Sequence, residues 1–448
     1  MTARYRRALV IGLGASGRAA VRLLAAMGVP THVYDRRPSI DDAPEGVSLF
    51  LGTDAPGPEA FAGVDLMVLS PGVPPGPHRA ACAQHAPNAT IHGELSLALE
   101  VLGPMPTVLI TGTNGKSTVT SMLGHLMRAG GQSPFVGGNL GDPPAELARA
   151  VLCGERERPS SLVLECSSYQ LETLRPGPTA VAMILNVTPD HLDRYDSYEH
   201  YARTKTTVFH DMEPGGLALL DADDAWTPEF APIAGEALRC IGSDFAHVVG
   251  DGPGDALVVD GETFDRTELQ LPGRHNAKNA LFAIAAARHL GVDLDAVREG
   301  LRSFEGLPHR MVFVRELGGV KYYNDSKATN VASAMASLGG LRERFVLIAG
   351  GRAKGDDLSP LGALLRTQGR ALVTVGEAGP QFAALAEGQL PHQAAESMAD
   401  AVAAARAFAE PGDLVLLAPA CSSFDQYRSY AQRGERFTEA VLNLDPRG

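Results

Sequence analysis

Residues 108–131 read VLITGTNGKSTVTSMLGHLMRAGG, and this stretch decides the fold. Its opening apolar run, 108–111, has the composition of a buried strand. Val119, Met122, Leu123, Leu126 and Met127 then recur at offsets of three and four, the period of a helix with one apolar face, and Gly130-Gly131 ends it. Between strand and helix lies Thr111-Gly-Thr-Asn-Gly-Lys-Ser-Thr118. A glycine-rich turn in that position is suited to phosphate. Gly112 and Gly115 let the backbone N–H groups around Thr113 and Asn114 close on phosphate oxygens, and the helix dipole adds positive potential. Lys116 supplies a point charge, and Ser117 or Thr118 can hold Mg²⁺. The plainer alternative is a tight turn carrying a solvated lysine. The general G-x-x-x-x-G-K-[ST] spacing is not met, because position 110, five before Gly115, is isoleucine.

Working outward, short Val/Ile/Leu-rich runs at 8–11, 162–165, 180–185, 345–348, 371–375 and 414–417 alternate with helical stretches. That alternation predicts an α/β protein with parallel sheets covered on both faces. Several runs lead into polar or glycine-rich loops: GLGASG, CSSYQ, NVTPDHLD, GGRAKG and APACSSFDQ. Ligands bind beyond the carboxyl ends of strands in such sheets, so chemistry is expected to collect there. The length of 448 residues exceeds what one core supports, and three domains are expected, 1–102, 103–306 and 307–448. Glycine and proline at 103–106 set the first boundary; the second follows the helical runs 276–290 and 295–303. The Ala-rich stretch 394–409, with Met398, Val402 and Phe408, reads as a packed helix. Residues 214–272, broken by acidic turns, suggest no site.

A formal charge of −13 gives no basic footprint for nucleic acid or anionic lipid, so an anionic ligand has to be held by local cations, helix ends or metal. The five cysteines are scattered without a CxxC pair, which argues against a disulfide framework or zinc site and fits a reducing cytoplasm. No run of about 18 apolar residues occurs, so neither export nor membrane spanning is expected.

Gly12-Leu-Gly-Ala-Ser-Gly17 after the first strand, with Asp35 ending the next, fits a dinucleotide fingerprint. Any diphosphate at a helix N-terminus is served by the same geometry, so the glycines alone do not choose NAD. Glu165 ends a strand, where a carboxylate can ligate a hard cation. His191 sits in a Pro-Asp-His loop. Lys205, in Tyr-Ala-Arg-Thr-Lys, would ordinarily be a solvated helix lysine.

The short loop TGTNGKST resembles that of the Mur ligases and the related folylpolyglutamate synthetases, amide-forming enzymes that activate a carboxylate with ATP. LVLECSSYQ (162–170), NVTPDHLD (186–193), GRHNAKN (273–279), GLPHR (306–310) and DSKATN (325–330) follow in the order this family shows. With PACSSFDQY (419–427) and QRGERF (432–437), the pattern is most similar to the members that add D-glutamate.

The resemblance implies an N-terminal Rossmann-like domain, a central P-loop-type ATPase sheet and a C-terminal Rossmann-like domain. It implies ATP and two Mg²⁺ ions as cofactors, with UDP-N-acetylmuramoyl-L-alanine and D-glutamate as substrates for peptidoglycan precursor synthesis. A cytoplasmic monomer is expected. By resemblance, Ser117, Glu165, His191 and a carbamylated Lys205 serve the metals, and Asn276, Asn279, Arg310 and Asp325 join the loop in holding ATP. Carbamylation requires a neutral amine, hence a lysine whose pKa is depressed by burial or nearby positive charge. The UDP-substrate is assigned to Gly14, Ala15, Ser16, Asp35, Arg36, Ser70, Pro71, Gly72 and Asn139, with Arg36 standing where the family suggests a small hydroxyl residue. D-glutamate is assigned to Lys327, Thr329, Lys354, Ser423 and Tyr430, cations and hydroxyls suited to two carboxylates.

Two other classes compete. A nicotinamide oxidoreductase explains GLGASG but leaves GTNGKST and DSKATN without purpose. A nucleotide-switched binding module explains the phosphate loop alone and would release phosphate without small substrates.

Overall fold

The computed structural model describes residues 4–40, 44–191, 194–250, 255–271, 273–339, 341, 343–353 and 355–445. Its strands form three sheets. The first is parallel, in the order β3 (Ser48–Leu51), β2 (Thr31–Asp35), β1 (Ala8–Ile11), β4 (Leu66–Leu69), β5 (Thr90–Gly93). Strands β1 and β4 are buried throughout, the two-sided burial that reads as an unbroken apolar run.

The second sheet centres on β6 (Thr107–Thr111), flanked by β8 (Ser161–Glu165) and β9 (Thr179–Ile184), all parallel. Beyond β8 lies β7 (Pro134–Gly138), and beyond β9 lie β10 (Met212–Asp221) and β11 (Leu238–Ile241). The stretch 214–272 supplies the rest of this edge. β12 (Ala246–Val249), β13 (Ala256–Val259) and β14 (Glu262–Asp265) end the sheet with antiparallel pairings.

The first two sheets belong to one compact unit, residues 1–269 with 278–304. The helices Ala15–Ala26, Glu94–Leu102 and Pro144–Leu152 share its core through Leu23, Leu24, Leu95, Ala98, Leu147 and Ala148. Glu94, 2% exposed, accepts the Ala145 N–H at the head of the third helix and is pushed up to about 7 by burial.

The third sheet lies in a second unit, residues 270–277 with 305–448. Its order is β15 (Val312–Leu317), β16 (Val320–Asn324), β20 (Leu414–Leu417), β17 (Phe345–Gly350), β18 (Gly369–Val375), β19 (His392–Ala394), with only β15 antiparallel. The helix expected over 394–409 starts at Met398, because Ser397 takes the cap position and accepts the Asp400 N–H. Ala394, at the start of the expected helix, instead ends the edge strand β19. Among the described residues, no helix is long and apolar enough to cross a membrane.

Candidate active site

Strand β6 delivers Thr111 to the turn, and the helix Lys116–Ala129 starts directly after it. Gly112 (φ 147°) and Gly115 (φ 84°) hold conformations that L side chains rarely adopt. A Cβ on Gly115 would also stand 2.6 Å from Asn279 Oδ1. As N-cap, Gly115 offers no side chain to the first-turn N–H groups. Lys116 Nζ bridges its own loop, donating to the carbonyls of Gly112 and Thr113 at 2.7 Å each. Ser117 and Thr118 are buried, and Thr118 Oγ1 has no hydrogen-bond partner among the described residues.

Asn186, at the end of the neighbouring strand, fastens this loop. The Asn114 N–H donates to Asn186 Oδ1 (2.8 Å), Asn186 Nδ2 donates to the Asn114 carbonyl (3.0 Å), and the Thr113 N–H donates to the Asn186 carbonyl (2.9 Å). Sequence reading quoted Asn186 within a motif and gave it no role. An asparagine following a strand has no local signature for such a clamp, since its partners lie about seventy residues away.

Glu165 ends β8 and is 2% exposed. Its Oε1 accepts from Asn139 Nδ2 at 2.7 Å, whereas Oε2 is buried without a hydrogen-bond partner among the described residues. Asn139, assigned to the nucleotide sugar, thus holds a candidate metal ligand in place. A buried carboxylate oxygen left unpaired is costly, and a hard divalent cation is a natural partner for it. Among the described residues no three His, Cys, Asp or Glu side chains form a cage. The unpaired Glu165 oxygen is a hard donor of the kind Mg²⁺ takes alongside waters and phosphate oxygens.

His191 sits at φ 55°, with Nδ1 3.0 Å from the Tyr169 hydroxyl and Nε2 3.6 Å from Asp190 Oδ2. Lys205, 1% exposed, opens the short turn Lys205–Phe209 with Nζ 4.2 Å from the Tyr201 ring centroid. Burial first, and then the positive charge of Lys116, hold its pKa well below the ordinary lysine value, with Asp190 opposing. Tyr201 in turn meets Thr113 of the loop, Oη to Oγ1 at 3.0 Å. The lysine that looked like a solvated residue is therefore a buried neighbour of the phosphate loop.

The N-terminal loop repeats the glycine device. Gly12 has φ 86°, and Gly14 caps the helix Ala15–Ala26 without a side-chain hydrogen bond. A Cβ on Gly17 would lie 2.0 Å from the Gly12 carbonyl oxygen, which Ser70 Oγ also engages at 2.6 Å. Asp35 is fully engaged. Its Oδ2 accepts from the Leu13 N–H (2.7 Å) and Arg37 Nη2 (2.9 Å), and its Oδ1 from the Arg37 N–H (3.0 Å) and Nε (2.9 Å). The Arg37 guanidinium, followed by these backbone donors, holds the carboxyl well below the usual range despite burial. Asp35, Arg36 and Gly72 line a cavity of about 310 Å³ with Tyr34, Pro74 and His78. Arg36 itself is exposed, 3.6 Å from Asp54.

In the second unit, Asp325 follows β16 and is 2% exposed. It accepts from the Met311 N–H (3.2 Å) and Ser337 Oγ (2.6 Å), and burial pushes it up to about 6 against the pull of Arg310. Arg310 Nε is buried with no hydrogen-bond partner among the described residues. Asn276 belongs to this unit and is buried. Lys327 Nζ lies 5.3 Å from the Tyr430 ring centroid, Thr329 turns back on Lys327 through its N–H (2.9 Å), and Ser423 is buried. Lys354 lies outside the described residues, as do Leu192 and Asp193 of the His191 loop. Sequence reading also gave no role to Arg433, 1% exposed. It donates to the Ser326 carbonyl (2.8 Å) and the Cys421 carbonyl (3.1 Å), tying the loop of Lys327 to that of Ser423.

Comparisons with known proteins agree along the chain. Residues 6–91 match the Mur ligase MurD-like N-terminal domain, 110–287 the Mur ligase middle domain and 309–421 the Mur ligase glutamate ligase domain. A UDP-N-acetylmuramoylalanine–D-glutamate ligase of Rubrobacter xylanophilus is 44% identical over 96% of this chain and 97% of its own length. One from Chromobacterium violaceum is 39% identical over 97% of each. Among solved structures, a pseudomurein peptide ligase type C from Methanothermus fervidus shares the fold at TM-score 0.62 and 18% identity, over 98% of this chain and 100% of that one. A folylpolyglutamate synthase of Mycobacterium tuberculosis does so at 0.61 and 16%, over 79% and 95%. Three matched domains in order, together with this identity over nearly the full length, make the chain a member of the Mur ligase family.

Proposed function

We propose that this protein joins D-glutamate to UDP-N-acetylmuramoyl-L-alanine at the expense of ATP, forming a peptidoglycan precursor in the cytoplasm as a monomer. The observation that carries this reading is the charge constellation around the phosphate loop. Lys116 spans the loop, buried Lys205 lies beside it, and Glu165 ends a nearby strand with one oxygen unsatisfied. The sequence relatives, which carry the name of that reaction, support the choice of substrates.

The substrate carboxylate attacks the γ-phosphate of ATP, giving an acyl phosphate and ADP. The amine of D-glutamate then attacks the acyl carbon, and phosphate leaves with the carboxyl oxygen. Two anions meet in the first step, so cationic positioning dominates the chemistry. Lys116 and the N–H groups at the head of its helix orient the phosphates. Asn279, pressed against Gly115, and Asn276, Arg310 and Asp325 hold the nucleotide. Ser117, Glu165, His191 and Lys205 would hold Mg²⁺, two ions in all, which when bound neutralise phosphate and carboxylate charge. Lys205 meets the requirement for carbamylation, since its neutral amine is favoured by burial. Gly14, Ala15, Ser16, Ser70, Pro71 and Gly72 carry the UDP-sugar, with Asp35 bracing their loop, Arg36 at the rim and Asn139 steadying Glu165. Lys327, Thr329, Lys354, Ser423 and Tyr430 bind the two carboxylates of D-glutamate.

Phosphate release is the test. It is expected only when the UDP-sugar and D-glutamate are both present, with isotope from a labelled substrate carboxyl recovered in the inorganic phosphate. Release with ATP alone, or absence of the label, overturns the reading. A carbamate carbon signal after equilibration with ¹³CO₂, lost in Lys205→Arg, tests the modification separately.

A further inference from the structure

The loop that carries Ser70, Pro71 and Gly72 and the loop that carries His191 are bridged by Arg194. Its Nη2 donates to the Val73 carbonyl (3.1 Å) and its Nη1 reaches the Gly72 carbonyl (3.4 Å). The same guanidinium forms a fork with Glu172, Nη2 to Oε2 at 2.6 Å and Nε to Oε1 at 3.2 Å, and both side chains are about nine-tenths buried. Its Cζ lies 4.7 Å from the centroid of the Tyr169 ring, over the ring face and within cation–π range. Tyr169 then bonds His191 Nδ1 at 3.0 Å, with the two ring centroids 4.9 Å apart.

Each end of this chain is stiff. Tyr169 lies on the turn Ser168–Leu171, fixed by a reciprocal cap in which Ser167 Oγ accepts the Gln170 N–H and Gln170 Oε1 accepts the Ser167 N–H. His191 is held in its left-handed conformation by the N–H groups of Arg194 (3.0 Å) and Tyr195 (3.4 Å), which donate to its carbonyl. At the other end, Val73 Cγ2 would stand 2.7 Å from a Cβ on Gly12, so the loop 70–73 rests on the glycine turn itself. Whichever of phenol and imidazole donates, the Tyr169 bond fixes the orientation of the ring and biases its tautomer.

We infer that Tyr169 and Arg194 are positioning residues, through which occupation of the nucleotide-sugar loop sets the orientation of the His191 imidazole. Acceptor binding and readiness for phosphoryl transfer are thereby linked within one unit of the molecule. The inference rests on the ligase reading, because that reading places a UDP-sugar on the loop. Tyr169→Phe removes a single oxygen and keeps the ring. Arg194→Lys keeps a charge for Glu172 but cannot serve both the carboxylate and the two carbonyls.

The test observes ring nitrogens of ¹⁵N-histidine-labelled, metal-free protein, with His191→Gln assigning the signal and UDP-N-acetylmuramoyl-L-alanine as the probe. In the free protein, Tyr169→Phe is expected to change the balance of His191 tautomers. In the wild type the probe is expected to shift the His191 signals. That shift is expected to vanish in Tyr169→Phe and Arg194→Lys, with no further loss in the double variant because the two act in series. Kinetically, Tyr169→Phe should raise the half-saturating Mg²⁺ about tenfold while leaving KM for ATP unchanged. Unaltered free-protein signals in Tyr169→Phe, or a probe-induced shift that survives in Arg194→Lys, overturn the inference. No binding of the probe by the wild type overturns the ligase reading and the coupling together, whereas binding without the effect overturns the coupling alone.

Discussion

The molecule contains two glycine loops built to one plan and surrounded by different charges. Each follows a buried strand, each opens a helix from a glycine that offers no side-chain cap, and each uses a positive φ at its first glycine. Around the central loop stand Lys116, the buried Lys205 and the half-satisfied Glu165. Beside the N-terminal loop a buried carboxylate, Asp35, accepts four hydrogen bonds and is spent on bracing the turn. The two loops share their glycine geometry and differ in the groups beside them; under the proposed function, those groups decide whether phosphate is transferred or merely held.

The sharpest way to break this comparison is Lys116→Ala. Turnover should fall by at least about 10²-fold, the loss typical of one preorganised donor, while circular dichroism stays that of the native fold. Ser16→Ala in the other loop should alter KM for the UDP-sugar and leave kcat nearly unchanged. A near-normal rate for the lysine variant would erase the distinction between the loops.

Next comes the backbone. Gly115→Ala meets both a left-handed φ and the Asn279 side chain, and should destabilise the protein by about 1–3 kcal/mol in denaturant titration. Gly14→Ala faces open space at an ordinary φ and should stay within about 0.5 kcal/mol. Equal effects would show that the two turns are not conformationally distinct.

Asn186→Ala removes side-chain bonds on both sides of Asn114, so KM for ATP is expected to rise about tenfold with KM for the UDP-sugar unmoved. The smallest effect concerns Asp35. Its folded pKa is depressed, so the stability it lends is complete above the ordinary carboxylate value of about 4 and is lost as pH falls below that value. Asp35→Asn should therefore flatten the acid limb of a melting-temperature profile; an unchanged limb would show that the brace contributes nothing.

Reading the chain alone exposed what is local in sequence. Strand-turn-helix punctuation located both glycine turns, because glycine spacing and apolar period are set within about twenty residues. It also set the α/β class and marked Glu165, at a strand end, and His191, in a loop, as residues with chemical capacity. It did not resolve 214–272, where short strands extend the central sheet through pairings that leave little periodic trace. Nor did spacing mark Asn186, Arg194 or Arg433. Each is an ordinary polar residue whose partners are distant in sequence, and a hydrogen bond between remote segments has no local signature.

Lys205 shows the division most plainly. Its neighbours along the chain describe a helical lysine facing water, and only the family resemblance singled it out. Tertiary packing covers that lysine almost completely and sets it within reach of another cation's field, which is what lowers its affinity for a proton. Sequence by itself determined the α/β class and the two glycine turns, since those follow from local geometry. The fold decided which carboxylate is left unsatisfied and which lysine is stripped of water, because desolvation depends on everything that surrounds a group and not on its neighbours in the chain.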